Sequence, residues 1–249
     1  MVNIDNVYQK VLVLANKEQR GYVTPQEFNL FANQAQLEIF EQYFYDINQF
    51  GRAPGNENEY GDILNLLNEK ISVFKFHNNR PVFNSVISGA GALWLKPPNM
   101  YRLGTVWYSW QQNLVDGVEI QEVNANELLD ILNSPLTMPR YNLSTRIATN
   151  PIYVDDEAGL IIYPSNIVSQ NTVIASFVAL PTVPRWGYVV ISEKAMFDPS
   201  TTTHFDLHPT EETELVYKIL KYAGISMDKD SIMRAGQGME MSKVSQEKQ

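Results

Sequence analysis

The stretch Ala179–Tyr188, ALPTVPRWGY, follows a strand-like run from Thr172 to Leu180 and carries Pro181, Pro184 and Trp186. Proline has no N–H for a ladder and holds φ near one value, so this segment is a poor central strand. It reads as a stiff, extended connector with a large aromatic near its end. Before it the apolar residues alternate with period two; after it they recur at helical spacing. The connector is therefore where the chain leaves a β-module for a helical part, and Trp186 is expected to anchor that junction.

Outward toward the N-terminus, Asp5 or Asn6 caps a first helix with Val7, Val11 and Leu14 on one face, and Gly21 stops it. In YVTPQEF, Thr24 is an N-cap, Pro25 takes the first helical position and Glu27 completes a T-x-x-E capping box, with Val23 stapled against Phe28. The helix that follows is predicted to run from Pro25 to about Asn48. Its main apolar face is Phe28, Phe31, Ala32, Ala35, Ile39, Tyr43, Ile47 and Phe50, and Leu30, Leu37 and Phe44 lie nearly opposite. A helix apolar on two sides must be covered on two sides, either within its own domain or by a neighbouring subunit. Gln49–Gly61 is a polar loop, and a shorter helix follows around Asp62–Val73. KFHNNRPVFNSVISGAGA is irregular or weakly extended.

From about Leu93 the period is two. LWLKPPNMYRLGTVWYSWQQ and GVEIQEV read as strands. One short helix, NANELLDILNSP, is expected with Asn124 as its cap. PIYVDDEAGLIIYP is a hairpin turning at Asp155–Gly159, and NTVIASFVAL is the last strand of the run. Beyond the connector, HPTEETELVYKILKYAG starts with Pro209, places three glutamates early and Lys218 and Lys221 late, and stops at Gly224. That charge order suits the helix dipole.

The predicted fold is α+β. Terminal helices form a helical stem, and an antiparallel β-sandwich or barrel-like module is inserted between them. The expected divisions are residues 1–92 and 189–224 for the stem, 93–188 for the β-module, and 225–249 for a C-terminal arm. Gly236 and Gly238 weaken any helix in that arm. It nevertheless keeps Ile225, Met227, Ile232, Met233, Met239 and Met241, and flexible Met-rich segments adapt to a partner's groove.

Composition narrows the chemistry. With 28 acidic and 19 basic residues the formal charge is -9, a poor match for wrapping a phosphate backbone and a good one for a surface past which DNA slides. There is no cysteine, so disulfide frameworks, thiolate zinc sites and Cys nucleophiles are excluded. No apolar run approaches the ~18 residues of a membrane span, and the start of the chain lacks a secretory pattern, so synthesis in the cytoplasm is expected. SGAGALWLK lacks the spacing of a phosphate-binding loop, and neither H-E-x-x-H nor G-x-S-x-G occurs.

His204, Asp206 and His208 make half of a metal site at most, or simply a strand before a helix. Asp155, Asp156 and Glu157 suit either a calcium ion or a solvated hairpin tip. Trp94, Trp107, Trp110 and Trp186 make either a sugar-stacking platform or core. Asn142-Leu143-Ser144 matches a glycosylation sequon that has no meaning without secretion. No catalytic, cofactor or metal residue is assigned, and no enzyme activity is expected.

The order of pieces resembles the head–tail connector proteins of tailed bacteriophages, the adaptor or ring proteins stacked under the portal in short-tailed and crAss-like phages. The resemblance covers most of the chain and rests on six stretches: TPQEFNLFANQAQLEIFEQYF, WLKPPNMYRLGTVWY, NSPLTMPRYN, PIYVDDEAGLIIYP, FVALPTVPRWGY and FDLHPTEETELVYKILKYAGIS. It implies a virion protein that forms a homo-oligomeric ring, a dodecamer, around a channel through which genomic DNA passes without sequence-specific binding. It implies portal and other tail or ring proteins as partners, no membrane, no cofactor and no catalysis. On that reading Leu30, Leu37 and Phe44 form a subunit seam, Pro181, Pro184 and Trp186 the module junction, and the Met-rich arm a docking segment. The alternative from the aromatic content is a β-sandwich glycan-binding tail component.

Overall fold

In the computed structural model of the chain, the structure describes residues 1–16, 23–50, 57–87, 91–111, 117–226, 234, 237–239 and 241–242. The chain is α+β and divides into two units, one of residues 1–73 together with 181–249, the other of residues 74–180. The second is thus inserted into the first. The divisions fall at 73/74 and 180/181, where the sequence reading placed them at 92/93 and 188/189.

The first unit begins with α1 (Ile4–Asn16), α2 (Pro25–Phe50) and α3 (Glu57–Ser72). The start of α2 follows from its capping box. Glu27 N–H donates to Thr24 Oγ1 at 3.3 Å, and Glu27 Oε2 accepts from Thr24 N–H at 3.0 Å and from Thr24 Oγ1 at 2.7 Å. Val23 and Phe28 are both fully buried, as a staple requires. The Thr24 backbone bond, then its hydroxyl, holds the Glu27 carboxyl below its ordinary range. Thr24→Ala is expected to cost about 1 kcal/mol of stability, read as a fall in the urea midpoint of the helical signal. α3 starts earlier than expected, because Glu57–Gly61 continues the helical run rather than a loop.

The inserted unit comprises β1 (Lys75–Asn79), β2 (Val82–Ile87), β3 (Gly91–Leu95), β4 (Met100–Tyr108), β5 (Val118–Glu122), α4 (Leu128–Asn133), β6 (Arg140–Asn142), β7 (Ile147–Thr149), β8 (Ile152–Asp156), β9 (Gly159–Tyr163) and β10 (Val173–Ala179). Eight strands form one curled sheet in the order β1-β10-β4-β5-β8-β9-β3-β2, and β6 and β7 pair separately. Register shifts along β1, β10, β4 and β2 supply local kinks that bend a sheet. Ala92, Trp94, Val106, Tyr108, Ile120 and Leu160 belong to the core on one face.

The eight strands make one curled sheet, so of the two expected forms, sandwich or barrel-like, the unit takes the barrel-like one, as half a barrel. Three other expectations are corrected. The pair β5/β8 is parallel, since the chain between them passes through α4 and the β6–β7 hairpin before returning. The segment before Leu93 is regular: β1 and β2 sit at the two edges of the sheet, where polar strands such as KFHNN are tolerated. α4 also starts later than expected, with Glu127 rather than Asn124 at its cap.

The β8–β9 hairpin turns where predicted. Gly159 has φ +153°, and a Cβ there would stand 2.3 Å from the Trp94 carbonyl oxygen, so neighbouring β3 requires glycine at this position.

The chain then re-enters the first unit and forms β11 (Tyr188–Ile191) and β12 (Lys194–Phe197), a separate two-stranded hairpin, before α5 (Glu212–Ser226). α5 packs against α1 and α2, and α3 packs against α2. α5 runs two residues past Gly224, which is buried. Packing there outweighs the ~1 kcal/mol that a helical glycine costs.

Candidate functional site

The connector residues from Pro181 on belong to the first unit. Pro181 and Pro184 are buried, and Trp186 is 2% exposed. The Trp186 backbone N–H donates to Asn29 Oδ1 at 2.7 Å, the Trp186 carbonyl accepts from Asn29 Nδ2 at 3.3 Å, and its indole N–H donates to Asp5 Oδ1 at 2.9 Å. Its ring lies 4.3 Å from Tyr8, 5.7 Å from Tyr188 and 5.9 Å from Phe197, centroid to centroid. Nearby, Gln36 is fully buried. It donates to the Thr182 carbonyl at 2.7 Å and accepts from Asp206 N–H at 3.1 Å. The segment thus returns to the helices by being tied to α1 and α2. The expectation that Trp186 marks the boundary is corrected: the boundary lies before Pro181, and Trp186 is core.

On α2 the buried positions include the apolar Phe28, Ala32, Ala35, Ile39, Phe40 and Tyr43. Phe31 and Ile47, expected on that face, are half-buried, and Phe40 belongs to it instead. Of the opposite row, Leu30 is 71% exposed, whereas Leu37 and Phe44 are half-buried and Phe44 meets Phe40 edge-on at 5.1 Å.

Charge is buried between α2 and α5. Lys218, 1% exposed, donates to Glu38 Oε1 at 2.9 Å and has Glu214 Oε1 at 3.7 Å. Tyr222 donates to Glu38 Oε2 at 2.5 Å. Lys70 of α3 pairs with buried Glu211 at 2.6 Å. Partial burial of Glu38 disfavours its charge, but the bonds from Tyr222 and Lys218 outweigh it and leave its pKa lowered.

For Tyr222, burial first, and then its bond to Glu38, pushes the phenol up to about 12. A pKa raised by folding contributes stability that is complete below the unfolded value of 10.0 and lost as pH rises from there toward about 12. An alkaline fall in melting temperature across that window is expected, and Tyr222→Phe should flatten it.

Two apolar surfaces of the same unit are open. The first is the β11–β12 hairpin, which exposes Val189, Val190, Ile191 and Met196. Its turn residues Ser192 and Glu193 have φ +49° and +63°, the backbone of a type I′ turn without the usual Asn-Gly. The second is a groove of about 440 Å³ between α1 and α5, lined by Val13, Leu14, Val216 and Tyr217 and edged by Lys10. Lys10 pairs with Glu212 at 2.6 Å. Neither surface was read from the sequence. The β-branched run YVVI was a signal for the hairpin, but its turn lacks glycine and asparagine.

The remaining candidates have other roles. His204 Nδ1 accepts from Ile4 N–H at 3.4 Å, and His208 caps the 3₁₀ turn Pro209–Glu211 that leads into α5. Asp206 Oδ2 accepts from Thr182 N–H at 2.8 Å and from its hydroxyl at 2.5 Å. Asp155 pairs with Lys96. Among the described residues, no group of three or more His, Asp or Glu is placed to hold a metal ion. Trp94 is core and donates to the Ile167 carbonyl at 3.2 Å, and the Arg146 guanidinium covers Trp110 at 3.8 Å. With Trp186 also buried, the four tryptophans do not make one platform. Asn142 Oδ1 accepts from Ser144 and Thr145 N–H within a turn.

A cavity of about 570 Å³ in the inserted unit is lined by Glu119, Gln121, Ile131, Thr137, Asn150 and Ile152 among others, and Glu119 is the one carboxylate among the described lining residues.

Of the C-terminal arm, Met227, Ile232 and Met233 lie outside the described residues. Ile225 falls in the last turn of α5, and Met239 and Met241 are exposed. Among the described residues, no helix is long and apolar enough to cross a membrane. No family model matches the sequence, and no curated protein matches it either.

Proposed function

We propose that this chain is a structural virion protein, a ring-forming head–tail connector that joins portal to tail around a DNA channel. The observation that carries the reading is the open apolar surface of the first unit, spread over Leu30 on α2, the β11–β12 hairpin and the α1–α5 groove. Within the hairpin, Val189 and Met196 are cross-strand neighbours and exposed beside Ile191, and apolar patches left in water mark protein–protein contact. The order of sequence stretches, the helices that flank an inserted β-unit and the net charge of -9 support it further. In this reading α1, α2 and α5 form the stem on the portal side, Leu30, Leu37 and Phe44 face a neighbour, and the exposed Met239 and Met241 belong to a docking arm.

The test is the molar mass of the purified chain by light scattering, alone and with portal protein. A ring, or co-migration with portal, is expected. A chain that neither self-associates nor binds portal overturns the reading. Leu30→Glu should leave the fold intact, because the side chain is already in water, and weaken assembly.

A further inference from the structure

We infer that the β11–β12 hairpin of one copy seats in the α1–α5 groove of the next copy of this same chain. The inference deepens the proposed function and rests on its self-association half. The hairpin leaves apolar side chains in water. Tyr188 and Phe197 face Trp186 at its root, and the opposite face carries Val189, Ile191 and Met196, with Ile191 at 58% exposure. A hairpin that leaves an apolar face in water is a contact surface unless it is covered. Its tip is held in a left-handed turn by Ser192 and Glu193, residues that adopt that backbone at a cost. Such strain persists where a defined shape is required.

The groove is its counterpart on the same unit. Its floor is Leu14 and Val216, its wall includes Val13 at 59% exposure, and its edge is the Lys10–Glu212 pair. The hairpin tip carries Glu193 beside Lys194, which can extend the Lys10–Glu212 pair at the groove's edge into a cluster of alternating charge. That charge complementarity, in an otherwise apolar contact, favours this groove over a generic hydrophobic surface. The exposed apolar side chains of the hairpin present on the order of 400 Å², about half of the ~800 Å² per partner that a stable interface takes. The hairpin is therefore the anchor, with flanking surface completing the contact. Two different patches that complement each other generate head-to-tail association, which closes into a ring when the rotation allows.

The experiment uses two single variants of the full chain, Ile191→Glu on the hairpin and Val13→Glu in the groove. Both side chains are exposed, so circular dichroism and melting temperature should match the wild type. By light scattering, the wild type is expected to form a multimer and each variant alone a monomer. A mixture of the two has one intact hairpin facing one intact groove, and should stop at a dimer of one of each. Variants that assemble like the wild type, a mixture that stays monomeric, or a wild type that is itself monomeric would each overturn the inference. The portal arm separates the two readings. A chain that binds portal but assembles independently of Ile191 and Val13 overturns only the hairpin contact. One that forms the hairpin dimer and ignores portal overturns only the connector role.

Discussion

Lys218→Ala is expected to destabilise the first unit by about 3–5 kcal/mol, the usual cost of breaking a buried ion pair from one side. The ammonium is 1% exposed and lies 2.9 Å from Glu38 and 3.7 Å from Glu214, whose side chain is 7% exposed. Without it, the buried carboxylate of Glu214 loses this cation, and Glu38 keeps its bond from Tyr222 and the weaker field of Lys221. The loss reads out as a lower urea midpoint in the helical signal. Lys218→Met combined with Glu214→Leu should recover most of it, because an apolar pair carries no desolvation penalty. A single-variant loss under about 1 kcal/mol would mean that water reaches the pair.

Trp186→Ala is expected to cost a similar ~3–5 kcal/mol, through the cavity left by a large buried ring. The ring fills the space between Tyr8 of α1 and the hairpin residues Tyr188 and Phe197. Its loss also frees Asp5 from the indole N–H. Trp186→Phe should recover much of the packing but not that bond, so the two variants divide the cost between volume and hydrogen bonding. The readout is thermal melting together with the change in hairpin order. An unchanged melting temperature for Trp186→Ala would show that the ring is not part of the core.

What was legible in the sequence was local. Thr24, Pro25 and Glu27 set the start of α2 because a capping box needs only its own four residues. Gly159 marked the β8–β9 hairpin because φ and a neighbouring carbonyl both require glycine there. What was not legible depended on distant partners. KFHNN has no strand periodicity of its own and becomes β1 by pairing with the buried strand β10. Gly224 ends a helix in isolation but not where α5 packs on α1 and α2. Pro181, Pro184 and Trp186 were read as a junction and are buried inside the first unit. The unit that anchors them was set by Asn29, Asp5 and Gln36, none of which carries a signal of that role. The hairpin at Tyr188–Phe197 was missed because Ser-Glu does not announce a type I′ turn, and the groove because it is shared by α1 and α5.

The insertion of one unit into the other also fixes an order of events during synthesis. Every strand of the eight-stranded sheet lies between Lys75 and Ala179, so that sheet is complete before α5 has been made. α2 is made early, yet its carboxylate Glu38 waits for Lys218, 180 residues later. At ~5–20 residues per second the ribosome takes roughly 10–40 s to cover that distance. For that interval Phe31 has no Tyr222 to stack on and Glu38 has no Lys218, so this face of α2 is open to a chaperone.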